Sequence, residues 1–285
     1  MNVLDLFSGI GGFSLGLERA GMRTVAFCEI DPYCQAVLRK RWFGIRCYPD
    51  IRQLTAARLA RDGVHADIIC GGFPCQDLSI AGKGAGLDGA RSGLWSELSR
   101  LVSEVRPKFA IVENVPTLLG RGLGRVLGDL AEIGYDAEWH CIPASAIGAP
   151  HQRDRIWIVA YPSGSGYGLE IQSECKQGSE ATPYSRGNGS SRPMAHADNG
   201  QRKQCGTTRR MGWGEIAAHD LASAEERTQW PAEPDLPRVA HGIPARLDRL
   251  RSLGNSIVPQ IAEVIGKAVM QQVTSTCLTT GDNNG

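Results

Sequence analysis

Apolar and polar positions along the first 160 residues predict strands and helices in turn. Residues 2–7 form a short apolar run ending in Ser8-Gly9-Ile10-Gly11-Gly12, and residues 13–20 carry apolar side chains at helical spacing up to a stop at Gly21. Residues 24–28 predict a second strand, closed by Glu29, and Asp31-Pro32 reads as an N-cap and first-turn proline for a helix reaching about Trp42. Further strands are predicted at 66–70, 109–112, 137–142 and 156–160, with helices at 96–105 and 125–133. Such alternation specifies an α/β fold with a mainly parallel, Rossmann-like sheet covered by helices on both faces. Ligands of such sheets bind beyond the C-terminal strand ends, and Gly9, Glu29, Cys75 and Glu113 all fall there.

Past residue 160 the pattern lapses. Residues 162–212 are rich in Gly, Ser, Asn, Gln and Arg with little periodicity, which predicts a small, irregular, loop-rich region over 161–245 beside a first domain of residues 1–160. Ile261, Val264, Ile265, Ala268 and Val269 predict a helix over 259–273, so that residues 246–273 return to the sheet and 274–285 form a flexible tail. There is no internal repeat.

Composition adds mostly exclusions. With 285 residues, 42% hydrophobic and 21% charged, the chain can bury one large core plus a small appendage. No apolar stretch approaches the ~20 residues of a membrane span, and no basic leader precedes an apolar segment, so a cytoplasmic protein without a membrane partner is expected. The nine cysteines include no C-x-x-C pair and no zinc spacing, so no metal is expected, and Cys28, Cys34, Cys47, Cys70 and Cys141 read as buried small hydrophobes. A net charge of +1 gives no global attraction to nucleic acid. Phosphate contacts must come from local clusters such as Arg202-Lys203 with Arg209-Arg210, or Arg246, Arg249 and Arg251.

Four stretches carry candidate chemistry. The Phe7–Gly12 turn joins a strand to a helix, where glycines admit a ligand to backbone N–H groups, and Glu29 follows at the offset of an acid that binds ribose hydroxyls. Ser14 occupies the place of the third glycine in a dinucleotide fingerprint, and a plain tight turn is the alternative reading. Cys75, preceded by Pro74 and followed by Gln76-Asp77, suits a shaped polar loop in which Arg153 and Arg155 supply cations to a thiolate, although a cysteine near a strand end is more often structural. Glycines 82, 84, 86, 89 and 93 then suit a mobile lid. Glu113, before Asn114-Val115-Pro116, can be kept protonated by burial and donate to a ring nitrogen. In Gln152-Arg153-Asp154-Arg155 the two arginines of an extended segment point to one side, as in a phosphate or carboxylate clamp, with a solvated edge of alternating charges as the alternative reading. Gly254-Asn255-Ser256 reads equally as a helix start or a ligand loop.

Together these stretches resemble the cytosine-5 DNA methyltransferases. DLFSGIGGFSLGLERAG is similar to the family's first cofactor motif, EID (29–31) to its second and Asp50 to the third contact. GGFPCQDLSIAGKG resembles the catalytic motif, ENVPTLL the glutamate motif, APHQRDRIWIVA the arginine motif and LGNSIVPQIAEVIG the closing motif. The resemblance covers residues 2–160 and 250–270. It implies S-adenosylmethionine as methyl donor, held by Phe7, Gly9, Gly11, Glu29, Asp50, Pro74, Asn255 and Ser256. It implies Cys75 as the nucleophile toward carbon 6 of a flipped cytosine, Glu113 as partner of the ring nitrogen, and Arg153 and Arg155 as supports of the flipped nucleotide. A monomer acting on double-stranded DNA, as in restriction-modification, follows from the same resemblance. Ile30 departs from it, standing where members often carry an aromatic against the adenine.

Rival readings remain at this point. An RNA cytosine-5 methyltransferase uses the same motif set, and a catalytically silent DNA-binding protein can be built on the same core. Exocyclic-amine methyltransferases carry a (D/N/S)-P-P-(Y/F) loop, to which the nearest string is Thr182-Pro183-Tyr184. A nicotinamide oxidoreductase leaves Cys75 and Glu113 unexplained.

Overall fold

The computed structural model describes residues 1–74, 93–167 and 245–280. Among these, the strands are β1 (Asn2–Leu6), β2 (Arg23–Cys28), β3 (Arg46–Tyr48), β4 (Ile68–Gly72), β5 (Phe109–Asn114), β6 (Tyr135–Ile142) and β7 (Arg155–Pro162). They form one sheet in the order β3-β2-β1-β4-β5-β7-β6. Pairing is parallel from β3 through β5, and β7 runs antiparallel to both β5 and β6. The predicted α/β architecture is therefore present. From β1 the chain builds outward first through β2 and β3, then through β4 and β5 on the other side, so a crevice opens at the β1/β4 ends.

Helices cover both faces: α1 (Gly12–Arg19), α2 (Pro32–Arg41), α3 (Ala56–Arg61), α4 (Gly93–Val105), α5 (Leu118–Arg121), α6 (Leu123–Glu132), α7 (Arg246–Asn255) and α8 (Pro259–Thr280). Successive strand residues serve opposite layers. Leu4 and Leu6 pack in one buried cluster with Trp95, Leu98, Val126 and Leu130, while Val3 packs in the other with Phe13, Leu17, Ile261 and Ile265. Burying each such aliphatic side chain contributes about 1.5–3 kcal/mol, which is what holds the strand ends in place.

The α1–α8 contact returns the end of the chain to its beginning. It is unusually close because a Cβ on Gly16 would lie 2.2 Å from the Pro259 carbonyl oxygen and 2.7 Å from the Ala262 Cβ. Gly266 repeats this on the other helix, 2.8 Å from the Ala20 Cβ. Small residues let the helix backbones meet, and α8 carries the α7–α8 connection to the rim of the sheet.

Local signals explain most boundaries. Asp31 caps α2 by accepting from the Tyr33 and Cys34 backbone N–H groups at 2.8 and 3.2 Å, with Pro32 in the first turn, as predicted. Four of these elements differ from the sequence reading. β3 and α3 are too short to show a period. α7 escaped because Leu247, Leu250 and Leu253 are exposed, so its spacing does not read as a core face, and Gly254-Asn255 end a helix rather than begin one. α8 runs on to Thr280, past the predicted end at 273. Cys28, Cys34 and Cys70 are buried as expected, but Cys47 is half-buried and Cys141 is exposed on the edge strand β6. No helix among the described residues is long and apolar enough to cross a membrane.

Candidate active site

A cavity of about 500 Å³ lies beyond the C-terminal ends of β1, β2, β4 and β5, lined among the described residues by Phe7, Gly9, Glu29, Asp50, Pro74, Glu113, Arg155 and Asn255. Gly11, Arg153 and Ser256 do not line it. Cys75 and residues 82–92 of the predicted lid at 82–93 lie outside the described residues, as does the region 168–244, while Gly93 begins α4.

One half of the cavity is built by the turn after β1. Phe7, Gly9 and Gly11 have φ values of 52°, 53° and 87°, and a non-glycine residue such as Phe7 is rare in that region. The turn is held by Ser8, whose Oγ donates to the Asp5 carbonyl at 2.6 Å, and by Gly11 N–H, which donates to the Ser8 carbonyl at 2.8 Å. Gly11 also leaves room for Trp42, since a Cβ there would come within 2.5 Å of the indole ring. Glu29 is clamped at the end of β2: Gly9 N–H donates to Oε2 at 2.7 Å and Asp31 N–H to Oε1 at 2.8 Å. Each carboxylate oxygen therefore keeps lone pairs free for further donors. Asp50 accepts from Arg52 N–H at 3.0 Å and pairs with the Arg52 guanidinium at 3.6 Å.

Sequence reasoning missed Asp5. Its side chain is completely buried, and Oδ2 accepts from Ser14 N–H at 3.2 Å and Ser14 Oγ–H at 2.7 Å. The carboxyl thus ties the end of β1 to the first turn of α1, and Ser14 is there to meet it. Burial pushes the Asp5 pKa up to about 7 against the lowering effect of Ser14. An acid inside the apolar run Val3-Leu4-Asp5-Leu6 was the available signal.

The other half is built on β4 and β5. Gly72 pairs in register with Glu113. A Cβ on Gly72 would lie 2.6 Å from Glu113 Oε2, so only glycine leaves the carboxyl its place. Arg155, the first residue of β7, sets its Nε 2.8 Å from Glu113 Oε1. Glu113 is only 9% exposed, and burial raises its pKa to about 7 although Arg155 and Arg153 pull the other way. Asn114 also escaped sequence reasoning. Its Nδ2 donates to the Phe73 carbonyl at 3.1 Å, while the Phe73 ring packs on Trp95 at 5.3 Å. Both contacts fix the segment that leads through Pro74 to Cys75.

The two arginines hold different partners. Arg153 has φ 40°, which breaks the extended run assumed for 152–155. Its guanidinium donates through Nη2 to the carbonyls of Gly254 and Ser256, while Arg155 faces Glu113. Among the described residues no cluster of His, Cys, Asp and Glu is arranged to hold a metal ion.

Comparison with known proteins identifies relatives of the chain. The chain is 39% identical over 168 residues to the Type II methyltransferase M2.BsuMI of Bacillus subtilis, covering 56% of this chain and 42% of that protein. It is 33% identical over 165 residues to the Type II methyltransferase M.HhaI of Haemophilus parahaemolyticus, covering 56% and 49%. The chain spans about half the length of the curated relatives it matches. A solved structure of a candidate DNA modification methyltransferase encoded within an E. coli prophage shares the fold at a TM-score of 0.60 and 21% identity, over 96% of this chain and 99% of that one. The family model for C-5 cytosine-specific DNA methylase matches residues 1–199, and the chain belongs to that family.

Proposed function

We propose that this chain transfers a methyl group from S-adenosylmethionine to carbon 5 of a cytosine rotated out of duplex DNA, through a transient bond to Cys75. The observation that carries the reading is Glu113, a buried carboxyl with its pKa near 7, gripped by Arg155 and lining a cavity together with Pro74, the residue that precedes Cys75 in the sequence.

The residues present fit the cofactor. A cavity of this volume suits a nucleoside-sized ligand. Glu29 would hold the ribose hydroxyls on the lone pairs its two backbone clamps leave free, with Phe7 and Ile30 as apolar walls, Asp50 beside the base, and Gly9, Pro74 and Asn255 completing the enclosure. S-adenosylmethionine bound there supplies an electrophilic methyl group.

Carbon 5 of cytosine is a poor nucleophile, and the protein must change that. The Cys75 thiolate adds to carbon 6, forming a carbon–sulfur bond and pushing an electron pair into the ring, so that carbon 5 becomes enamine-like. Glu113 donates its proton toward ring nitrogen 3 and stabilises the charge that gathers there. Arg155 holds the carboxyl in the orientation to do so. Once carbon 5 carries the methyl group and has lost its proton to a base, the sulfur leaves carbon 6 and the ring regains its aromaticity. Rotating the base out of the duplex costs a few kcal/mol. A recognition region over 161–245 and a lid over 82–93 would help offset that cost.

The test is methyl incorporation by the full chain from labelled S-adenosylmethionine, with duplex DNA and tRNA offered side by side. Label recovered as 5-methylcytosine in DNA is expected. Label confined to tRNA, or none in either, would overturn the reading.

A further inference from the structure

Arg153 adopts a left-handed backbone conformation, and its guanidinium serves a contact that methyl transfer does not use. The carbonyls it reaches belong to the end of α7, where a helix leaves its last C=O groups without intrahelical partners and where a cation is favoured by the helix dipole. Beyond them only residues 256–258 separate α7 from α8, so the helix end and the connection are fixed as one unit. That unit is gripped from two sides. On one, Gly12 of α1 leaves room for it, since a Cβ there would meet the Ile257 side chain and Ser256 Oγ at 2.9 Å. On the other stands Arg153.

What the unit presents to the cavity is Gly254 and Asn255, in a lining that also includes Glu29 and Asp31. Arg153 is two residues from Arg155, which holds Glu113. One tripeptide, Arg153-Asp154-Arg155, therefore fastens both halves of the cavity: its last residue the target-facing acid, its first the wall beside the ribose-binding acid.

We propose that Arg153 is a positioning residue for the cofactor half of the site, fixing the Gly254–Asn255 wall through backbone carbonyls, and is not a contact to the nucleotide. This rests on the reading that the cavity holds S-adenosylmethionine. It departs from the same-side clamp that the Gln152–Arg155 spacing suggests.

The test measures affinity for S-adenosylmethionine by calorimetry in the absence of DNA, and for duplex DNA in the absence of cofactor, for the wild-type chain, Arg153→Ala and Arg153→Gln. Losing charge-assisted hydrogen bonds to two carbonyls predicts cofactor binding weakened about tenfold or more in Arg153→Ala, with DNA affinity within about twofold of wild type. Arg153→Gln keeps N–H donors without the charge, so it recovers part of the cofactor affinity, which a phosphate-binding role would not allow. Circular dichroism checks that each variant is folded, and the glutamine variant decides the matter if the alanine variant is not. Unchanged cofactor affinity with weakened DNA binding overturns the assignment. A wild-type chain that takes up no S-adenosylmethionine overturns the functional reading and this assignment with it, whereas normal wild-type uptake with indifferent variants overturns this assignment alone.

Discussion

Arg155 Nε lies 2.8 Å from Glu113 Oε1, yet burial outweighs the cation and leaves the carboxyl titrating at about 7 instead of near its ordinary value. A carboxyl in that state can act as an acid at neutral pH, which a surface glutamate cannot. The arginine then serves chiefly to aim it.

The sign of the pH dependence follows. Glu113 donates only when protonated, so the methyl-transfer step should slow as pH rises through about 7. Glu113→Gln should lower the rate about 10²-fold or more, remove that descending limb, and leave cofactor affinity unchanged. Single-turnover rates between pH 5.5 and 8.5, on the order of the range spanning the Glu113 transition, check this. A glutamine variant that keeps the limb would remove Glu113 from the chemistry.

Gly72 faces the same carboxyl from the paired strand. Gly72→Ala puts a methyl group 2.6 Å from Glu113 Oε2, and one of them must move. Displacing the acid by a fraction of its hydrogen-bond length should cost up to about 10²-fold in kcat while S-adenosylmethionine still binds. Kinetic constants and calorimetry on this variant would contradict the account if kcat stayed at the wild-type level.

Asp5 gives a stability prediction. Its folded-state pKa of about 7 exceeds the ordinary value of 3.8, so between these values the folded chain keeps a proton that the unfolded chain has released. Stability therefore falls as pH rises through that window and levels off above it. Asp5→Asn, whose amide oxygen can still accept from Ser14, should lose less stability than wild type over the same interval. Denaturant midpoints at about pH 4 and pH 7, the two ends of the window, check the slope, and equal slopes for both proteins would contradict the burial of a titrating acid.

The α1–α8 contact predicts a purely mechanical defect. Gly16→Ala drives a Cβ to within 2.2 Å of the Pro259 carbonyl oxygen, which is backbone and cannot swing aside. Overpacking of this kind costs about 1–3 kcal/mol, and because α8 follows the Gly254–Asn255 wall, cofactor affinity should fall along with stability. Thermal unfolding with and without S-adenosylmethionine separates the two effects, and a variant as stable as wild type would contradict the packing described.

Much of this architecture was legible in the sequence because the signals were local. The glycine turn after β1, the Asp31-Pro32 cap and the strand that carries Glu113 near its end each announce themselves within a few residues. What escaped depends on distant partners. Asp5 interrupts an apolar strand for no reason visible until α1 brings Ser14 beside it. Asn114 acts on the carbonyl of Phe73, a residue from another strand end. Arg153 reads as one prong of an extended clamp until its φ of 40° turns it toward Gly254, a hundred positions along the chain. Cys141 reads as a small core residue, but β6 is the edge of the sheet and leaves it outside.

The central claim is that Cys75 bonds to the ring, and it is tested most directly by incubating the chain with S-adenosylmethionine and a duplex containing 5-fluorocytosine. Fluorine at carbon 5 cannot leave as a proton, so the account predicts a covalent protein–DNA adduct that survives denaturation and is absent from Cys75→Ala. No adduct from the wild-type chain on any mixed-sequence duplex, or an adduct that persists in Cys75→Ala, would contradict it.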